Sequence, residues 1–184
     1  MKKDRIRKEK ALLRKKNQHL IEHCSFNATS IFFKNISLKK KKIIGLYWPT
    51  KTELDTRPII KVLLSNKFIV SLPHIYKNEI LFKPWNANEK LFFSKEKIYC
   101  PCKLKETVLP DLVIVPLLAF DFLGNRIGYG KGFYDRYFNK NNTCEYVGFG
   151  FTFQYKNNIP RTRNDLKLNK IVTDRYIKDL NKKT

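Results

Sequence analysis

Acidic residues, glycine and long apolar runs are all in short supply in this chain. Sixteen Asp and Glu stand against 38 Lys and Arg, a formal net charge of +22, and only seven glycines are spread over 184 residues. The longest nearly unbroken apolar stretch, Leu112 to Phe120, is about half of the roughly 20 residues a helix needs to cross a bilayer, so no membrane helix is expected. The cysteines, Cys24, Cys100, Cys102 and Cys144, form no C-x-x-C pair, and His19, His23 and His74 have no zinc-ligand spacing with Cys100 and Cys102. That argues against a structural zinc site. An apolar leader is missing too: the first ten residues are charged almost throughout, and Asp4, Glu9 and Glu22 do not suit an acid-poor mitochondrial presequence. The expectation is a cytoplasmic protein with reduced thiols and no membrane partner.

What is present favours a folded domain. Hydrophobic residues make up 42% of the chain and aromatics 14%, too much for a disordered one. At about 150 residues per domain, 1–184 reads as a single domain, and a monomer is expected. The charge excess points to anionic partners, yet 29 of the 38 basic residues are Lys and they are dispersed along the chain. Together with abundant Asn and Ile, this matches drift toward AAA-type codons at neutral surface positions. An RNA-binding module is the alternative of another class, motivated by the charge, nine Tyr and fourteen Phe. No RRM-type aromatic signature appears, so no specific nucleic-acid partner is expected.

Residues 4 to 24 place Ile6, Leu13, Leu20 and Cys24 near one face of an amphipathic helix, and 28 to 37 suggest a second. The β-branched or aromatic runs Ile43 to Tyr47 and Lys67 to Leu72 end at Pro49 and Pro73 and flank a helical stretch from Asp55 to Ser65, a βαβ unit. Leu112 to Val115 is continuously apolar, as in a parallel strand covered on both faces, and further strands are expected over 79–83, 145–151 and 170–173. The fold class is therefore α/β. Residues 86 to 107 show no clear period and read as an excursion covering one sheet edge.

Four of the seven glycines, Gly124, Gly128, Gly130 and Gly132, fall within nine residues, directly after the buried strand and before a helical pattern that resumes near Phe133. Glycines permit positive φ and close backbone approach, so successive N–H groups there can converge on phosphate oxygens at a helix N-terminus. Arg126 and Lys131 add full charge. The spacing G-x-G-x-G is neither a P-loop nor a dinucleotide fingerprint, and a tight turn that only packs helix on strand would use the same glycines. Asp135 could bind Mg²⁺ or merely favour the helix's first turn.

The segment Val113 to Asp135, with Pro116, Phe120-Asp121, Gly124 and Arg126-Ile-Gly-Tyr-Gly-Lys-Gly-Phe-Tyr-Asp135, resembles the late block of the 5-formyltetrahydrofolate cyclo-ligase (methenyltetrahydrofolate synthetase) family. Lys3-x-x-Ile6-Arg7, Trp48 with Glu53 to Thr56, Pro73, Phe82 and Trp85, and Pro160, Asp165 and Ile171 to Thr173 are similar to further family blocks in the same order. The resemblance implies a three-layer α/β/α fold with a mostly parallel sheet, like sugar-phosphate isomerases and CoA-transferases. It also implies ATP- and Mg²⁺-dependent closure of 5-formyltetrahydrofolate, possible in polyglutamylated form, to 5,10-methenyltetrahydrofolate with release of ADP and phosphate.

Carried over by position, Lys3, Asp4, Arg5, Ile6 and Arg7, with Arg126, Ile127, Gly128, Tyr129, Gly130, Lys131, Gly132, Phe133 and Tyr134, are implied to contact ATP. Asp135 and Asp165 are implied to hold Mg²⁺. Trp48, Glu53 and the run from Tyr129 to Phe133 are implied to line the folate pocket, and Lys131, Arg126 and Glu53 to carry catalysis. Three positions depart from the family pattern: Leu117 where glycine is common, Asn169 where an acid is common, and Cys100 where Glu is frequent.

Overall fold

The computed structural model describes residues 2–181. Helix α1, Lys2–Lys16, leads through a 3-10 turn, Gln18–Leu20, into α2, Ile21–Asn35. The single helix expected over 4 to 24 is thus two. Asn17 breaks it: its backbone N–H and its side-chain amide both donate to the Leu13 carbonyl, at 3.1 and 2.8 Å. The side chain competes for an acceptor of the helical ladder, and the following turn tightens. The buried stripe of α1 also differs from the apolar one anticipated, since it is Ile6, Lys10 and Arg14.

The chain continues through β1 (Ile43–Gly45), α3 (Arg57–Ser65), β2 (Ile69–Tyr76), β3 (Glu79–Pro84), β4 (Phe92–Phe93), β5 (Tyr99–Cys100) and β6 (Leu112–Pro116). It ends with β7 (Ala119–Phe120), β8 (Arg126–Ile127), α4 (Phe133–Lys140), β9 (Glu145–Phe149), β10 (Lys170–Val172) and β11 (Ile177–Asp179). Seven strands make one sheet in the order β11-β10-β9-β6-β1-β2-β3, with five parallel strands inside and β11 and β3 antiparallel at the edges. The expected βαβ unit is β1-α3-β2, its helix opened by Pro58, whose fixed φ suits a first turn.

Strand alternation sorts the core into two layers. Ile44, Leu46, Leu112, Ile114, Val147 and Val172 pack under α2 and α3 through Ala28, Phe32, Ile59 and Leu63. On the opposite face Val113, Val115, Tyr146 and Ile171 meet Tyr137 of α4 together with Phe120, Leu166 and Leu168. Because both faces are covered, Leu112 to Val115 are all fully buried. The excursion at 86–107 carries the β4–β5 hairpin and is tied beside β3, Val108 N–H donating to Phe82 O at 2.9 Å and Lys105 Nζ to Pro84 O at 2.8 Å. No helix among the described residues is long and apolar enough to cross a membrane.

Candidate active site

The parallel strands all end on one side of the sheet, and there the strand order reverses between β1 and β6: the chain builds outward to β2 from one and to β9 and β10 from the other. Open α/β sheets bind ligands at such a point, where diverging connections leave a crevice. A cavity of about 660 Å³ opens here, with Tyr47 and Trp48 just after β1 on one side and Pro116, which ends β6, on the other.

The cavity brings together Lys3, Arg7, Trp48, Glu53, the whole run from Arg126 to Asp135, and Asp165. Three residues expected at the nucleotide are placed elsewhere. Asp4 and Arg5 lie exposed on α1, and Ile6 is buried with Ala119, Ile127 and Ile159. Helix geometry is the reason: positions i and i+4 share a side, so Lys3 and Arg7 face the cavity while those between turn away. Asp4 still reaches Arg7, at 2.6 Å from Nη1. Sequence reasoning missed Tyr47 and the hairpin wall from Glu96 to Tyr99, which lie in stretches with no motif to mark them.

Arg7 ties α1 to the glycine-rich loop, its Nε donating to the Gly128 carbonyl at 3.0 Å. Gly130, at φ +98°, lets the loop pass so close that an added Cβ would sit 3.3 Å from Arg7 Cζ, and Gly132 enters α4 at φ +67°. Both values lie at positive φ, which glycine adopts without strain. The loop thus delivers its backbone to the α4 N-terminus, where unpaired N–H groups and the helix dipole favour an anion.

Charged partners line this wall in pairs. Lys3 Nζ donates to Asp165 Oδ2 at 2.6 Å, and Thr162 N–H donates to the same oxygen at 2.6 Å. Burial opposes ionisation of Asp165, but the Lys3 ammonium and the Thr162 N–H outweigh it and hold the carboxyl below its usual range. Arg126 Nη1 donates to Asp135 Oδ1 at 2.7 Å, and that oxygen also accepts from Leu166 N–H at 2.9 Å. The hydrogen bonds named thus gather on one oxygen of each carboxylate. Two carboxylates of this kind beside an anion-binding loop are a donor set that suits Mg²⁺, which usually takes one or two carboxylates and fills its remaining positions with water and phosphate oxygens. Arg126 Nε is buried without a partner. Lys131 is exposed and forms no ion pair among the described residues; its Nζ lies 5.7 Å from the Phe133 ring centroid.

The facing wall is built differently. Glu53, 6% exposed, accepts from Thr50 N–H at 2.7 Å and from the Tyr129 hydroxyl at 3.0 Å. Enclosure of the hydroxyl end and the Glu53 charge push the Tyr129 phenol up to about 12, which keeps it a neutral donor. The same two causes raise Tyr134. Trp48 lines the cavity and meets Trp85 edge-on at 5.4 Å.

None of the three departures from the family pattern touches this geometry. Leu117 fills the space over Gly148 and Gly150, where an added Cβ would come within 2.9 and 2.6 Å of it. Cys100 Sγ donates to Phe92 O within the hairpin, and Asn169 Oδ1 accepts from Tyr146 N–H at 2.7 Å to brace β9.

The chain resembles characterised proteins along its length. It is 31% identical over 172 residues to the 5-formyltetrahydrofolate cyclo-ligase of Haemophilus influenzae, covering 89% of this chain and 90% of that one. It is 33% identical over 130 residues to the enzyme of the same name from Escherichia coli K12, covering 66% and 71%. Among solved structures, 5,10-methenyltetrahydrofolate synthetase of Aquifex aeolicus superimposes with a TM-score of 0.85 at 28% identity over 100% of this chain and 95% of that one. The synthetase of Mycoplasma pneumoniae, at 22% identity and a TM-score of 0.74, shares the fold. A family model covering residues 1–174 matches as well, and the chain belongs to the 5-formyltetrahydrofolate cyclo-ligase family.

Proposed function

We propose that this cavity carries out the ATP-dependent cyclisation of 5-formyltetrahydrofolate to 5,10-methenyltetrahydrofolate, with the residues divided between its two walls. A formamide carbonyl is a poor electrophile and the aryl-substituted N10 a weak nucleophile, so direct loss of the formyl oxygen as hydroxide is slow. Transfer of the γ-phosphoryl group of ATP to that oxygen creates a good leaving group. N10 then attacks the formyl carbon and gives up its proton to water, the ring closes, and the oxygen departs in phosphate, leaving ADP.

Lys3, Arg7 and the loop from Arg126 to Tyr134 hold the triphosphate, and Lys131, a cavity cation with no ion pair among the described residues, stabilises the charge spread over the transferring group. Arg126 adds a second cation beside it. Asp135 and Asp165 would hold Mg²⁺, which supplies neutralisation of the phosphoryl oxygens when bound. Glu53 and Trp48 hold the pterin and orient its N5-formyl group. The observation that carries this reading is the placement of Lys131 and Glu53, 78 positions apart in sequence, on the walls of one crevice.

Elements from the start, middle and end of the chain line the one cavity, which supports a single catalytic domain acting as a monomer. Unbridged cysteines support a cytoplasmic site of action. The lysines of the hairpin, Lys97 at the cavity among them, favour substrates with a polyglutamate tail. The test is an assay of methenyl formation by near-ultraviolet absorbance alongside ADP release. Equal amounts of the two, each requiring the other substrate, are expected; ATP hydrolysis that ignores the formylfolate would overturn the reading.

A further inference from the structure

Arg14 is a buried cation with no carboxylate partner among the described residues. It is 2% exposed, among the largest fully buried side chains, and no ion pair involves it among the described residues. Its Nε donates to the Thr52 carbonyl at 2.7 Å and its Nη2 to the Thr52 hydroxyl at 2.6 Å, while Nη1 is buried without an acceptor. The guanidinium Cζ also lies 5.6 Å from the centre of the Tyr129 ring. Burying a guanidinium is costly unless it is compensated, and a Leu or Met would satisfy packing alone.

The compensation lies one residue further on. Thr52 precedes Glu53, which is itself buried and bonded to Thr50 N–H and to the Tyr129 hydroxyl. Arg14 therefore grips the turn that carries Glu53 and faces the ring of its hydroxyl partner. The charges of Arg14 and Glu53 also act in opposite senses on Tyr47 and Tyr129. We infer that Arg14 is a positioning residue for the reaction: its planar fork on Thr52 and its contact with Tyr129 fix the Glu53 carboxylate in the folate wall. Because Lys3 and Arg7 stand on the same helix, α1 spans the site, holding the phosphate side at one end and the folate side about 16 Å away at the other, 11 residues at about 1.5 Å each. Lys would not replace Arg14, since a point-like ammonium cannot span the carbonyl and hydroxyl of Thr52 as the fork does. This inference rests on the proposed assignment of Glu53 to folate.

The test measures binding of 5-formyltetrahydrofolate and, separately, of a non-hydrolysable ATP analogue to the full chain and to Arg14→Met, Arg14→Lys, Glu53→Gln and the Met/Gln double variant. Arg14→Met is expected to weaken folate binding about tenfold and to leave the ATP analogue within about twofold, with Arg14→Lys recovering less than half of the loss. In the Glu53→Gln background Arg14→Met should add less than about twofold. Additive losses, or equal losses for both ligands, would show Arg14 to be a structural staple only. If Glu53→Gln alone costs nothing, the assignment of Glu53 fails and this inference with it; if Glu53→Gln weakens folate and Arg14→Met does not, only the role of Arg14 falls. Should Arg14→Met not fold, Thr52→Val removes one end of the fork, and about a threefold loss confined to folate is expected; no loss would overturn the proposal.

Discussion

The two walls of the cavity hold their charges in opposite ways. On the phosphate wall, Lys3 and Asp165 keep 25% and 20% of their side chains exposed, and Asp135 keeps 25% beside a well-buried Arg126. On the folate wall, Glu53 and Arg14 are nearly sealed, and their hydrogen bonds run to backbone and hydroxyl groups. Opening the Arg126–Asp135 pair would strand a guanidinium only 5% exposed, but the part-exposed Lys3–Asp165 pair can exchange partners at modest cost. A sealed wall cannot, because an unpaired buried charge is expensive. On the proposed assignment, the triphosphate and its metal would be met by carboxylates that keep some contact with water, and the pterin by groups fixed in advance.

The sharpest way to break this comparison is at Lys131. Lys131→Ala should lower kcat by about a thousandfold, the scale of removing one well-placed donor to a developing charge, with little change in melting temperature because the side chain is exposed. Methenyl formation at the wild-type rate would remove Lys131 from the mechanism. A smaller effect is expected from Asp135→Asn, which should raise the half-saturating Mg²⁺ concentration about tenfold and leave the folate KM unchanged; superimposable metal titrations would take Asp135 out of metal binding.

Smaller again is the polyglutamate preference. KM for a polyglutamylated substrate should be severalfold below that for the monoglutamate at low salt, with the gap closing as salt screens the lysines. Equal values at low ionic strength would sink that idea.

The smallest effect concerns acid stability. The folded Asp165 carboxyl titrates below its unfolded value of about 3.9. Its contribution is therefore present above that value and lost as pH falls through the lower folded one. Asp165→Asn should lower the neutral plateau of a melting-temperature profile and flatten its acid limb, the two proteins converging in acid, and an unchanged profile would show that the Lys3 pair contributes nothing to folding.

Much of the fold was legible because local pattern and tertiary environment agree. Leu112 to Val115 had to be buried on both faces, and the β1-α3-β2 unit follows from two apolar runs around an amphipathic one. The glycine cluster likewise reports local geometry, since Gly130 and Gly132 take positive φ values that glycine adopts freely. The break at Asn17 was not legible: whether a side-chain amide turns back onto the Leu13 carbonyl depends on what the next helix packs against. Lys10 and Arg14 were hidden for a related reason. A cation on a helix reads as solvated, and only distant acceptors reverse that, Phe153 and Tyr155 carbonyls for Lys10 and Thr52 for Arg14.

By itself, the order of residues determined the α/β class and the clustering of glycines between a buried strand and a helix, because each depends on neighbours within a few turns of chain. The reversal of strand order at β1 and β6 decided the rest. It alone brought α1, the turn at Glu53, the hairpin and Asp165 around one space, and so decided which carboxylates pair with which cations, because electrostatic energy depends on separation in space and that separation is set only when the sheet closes.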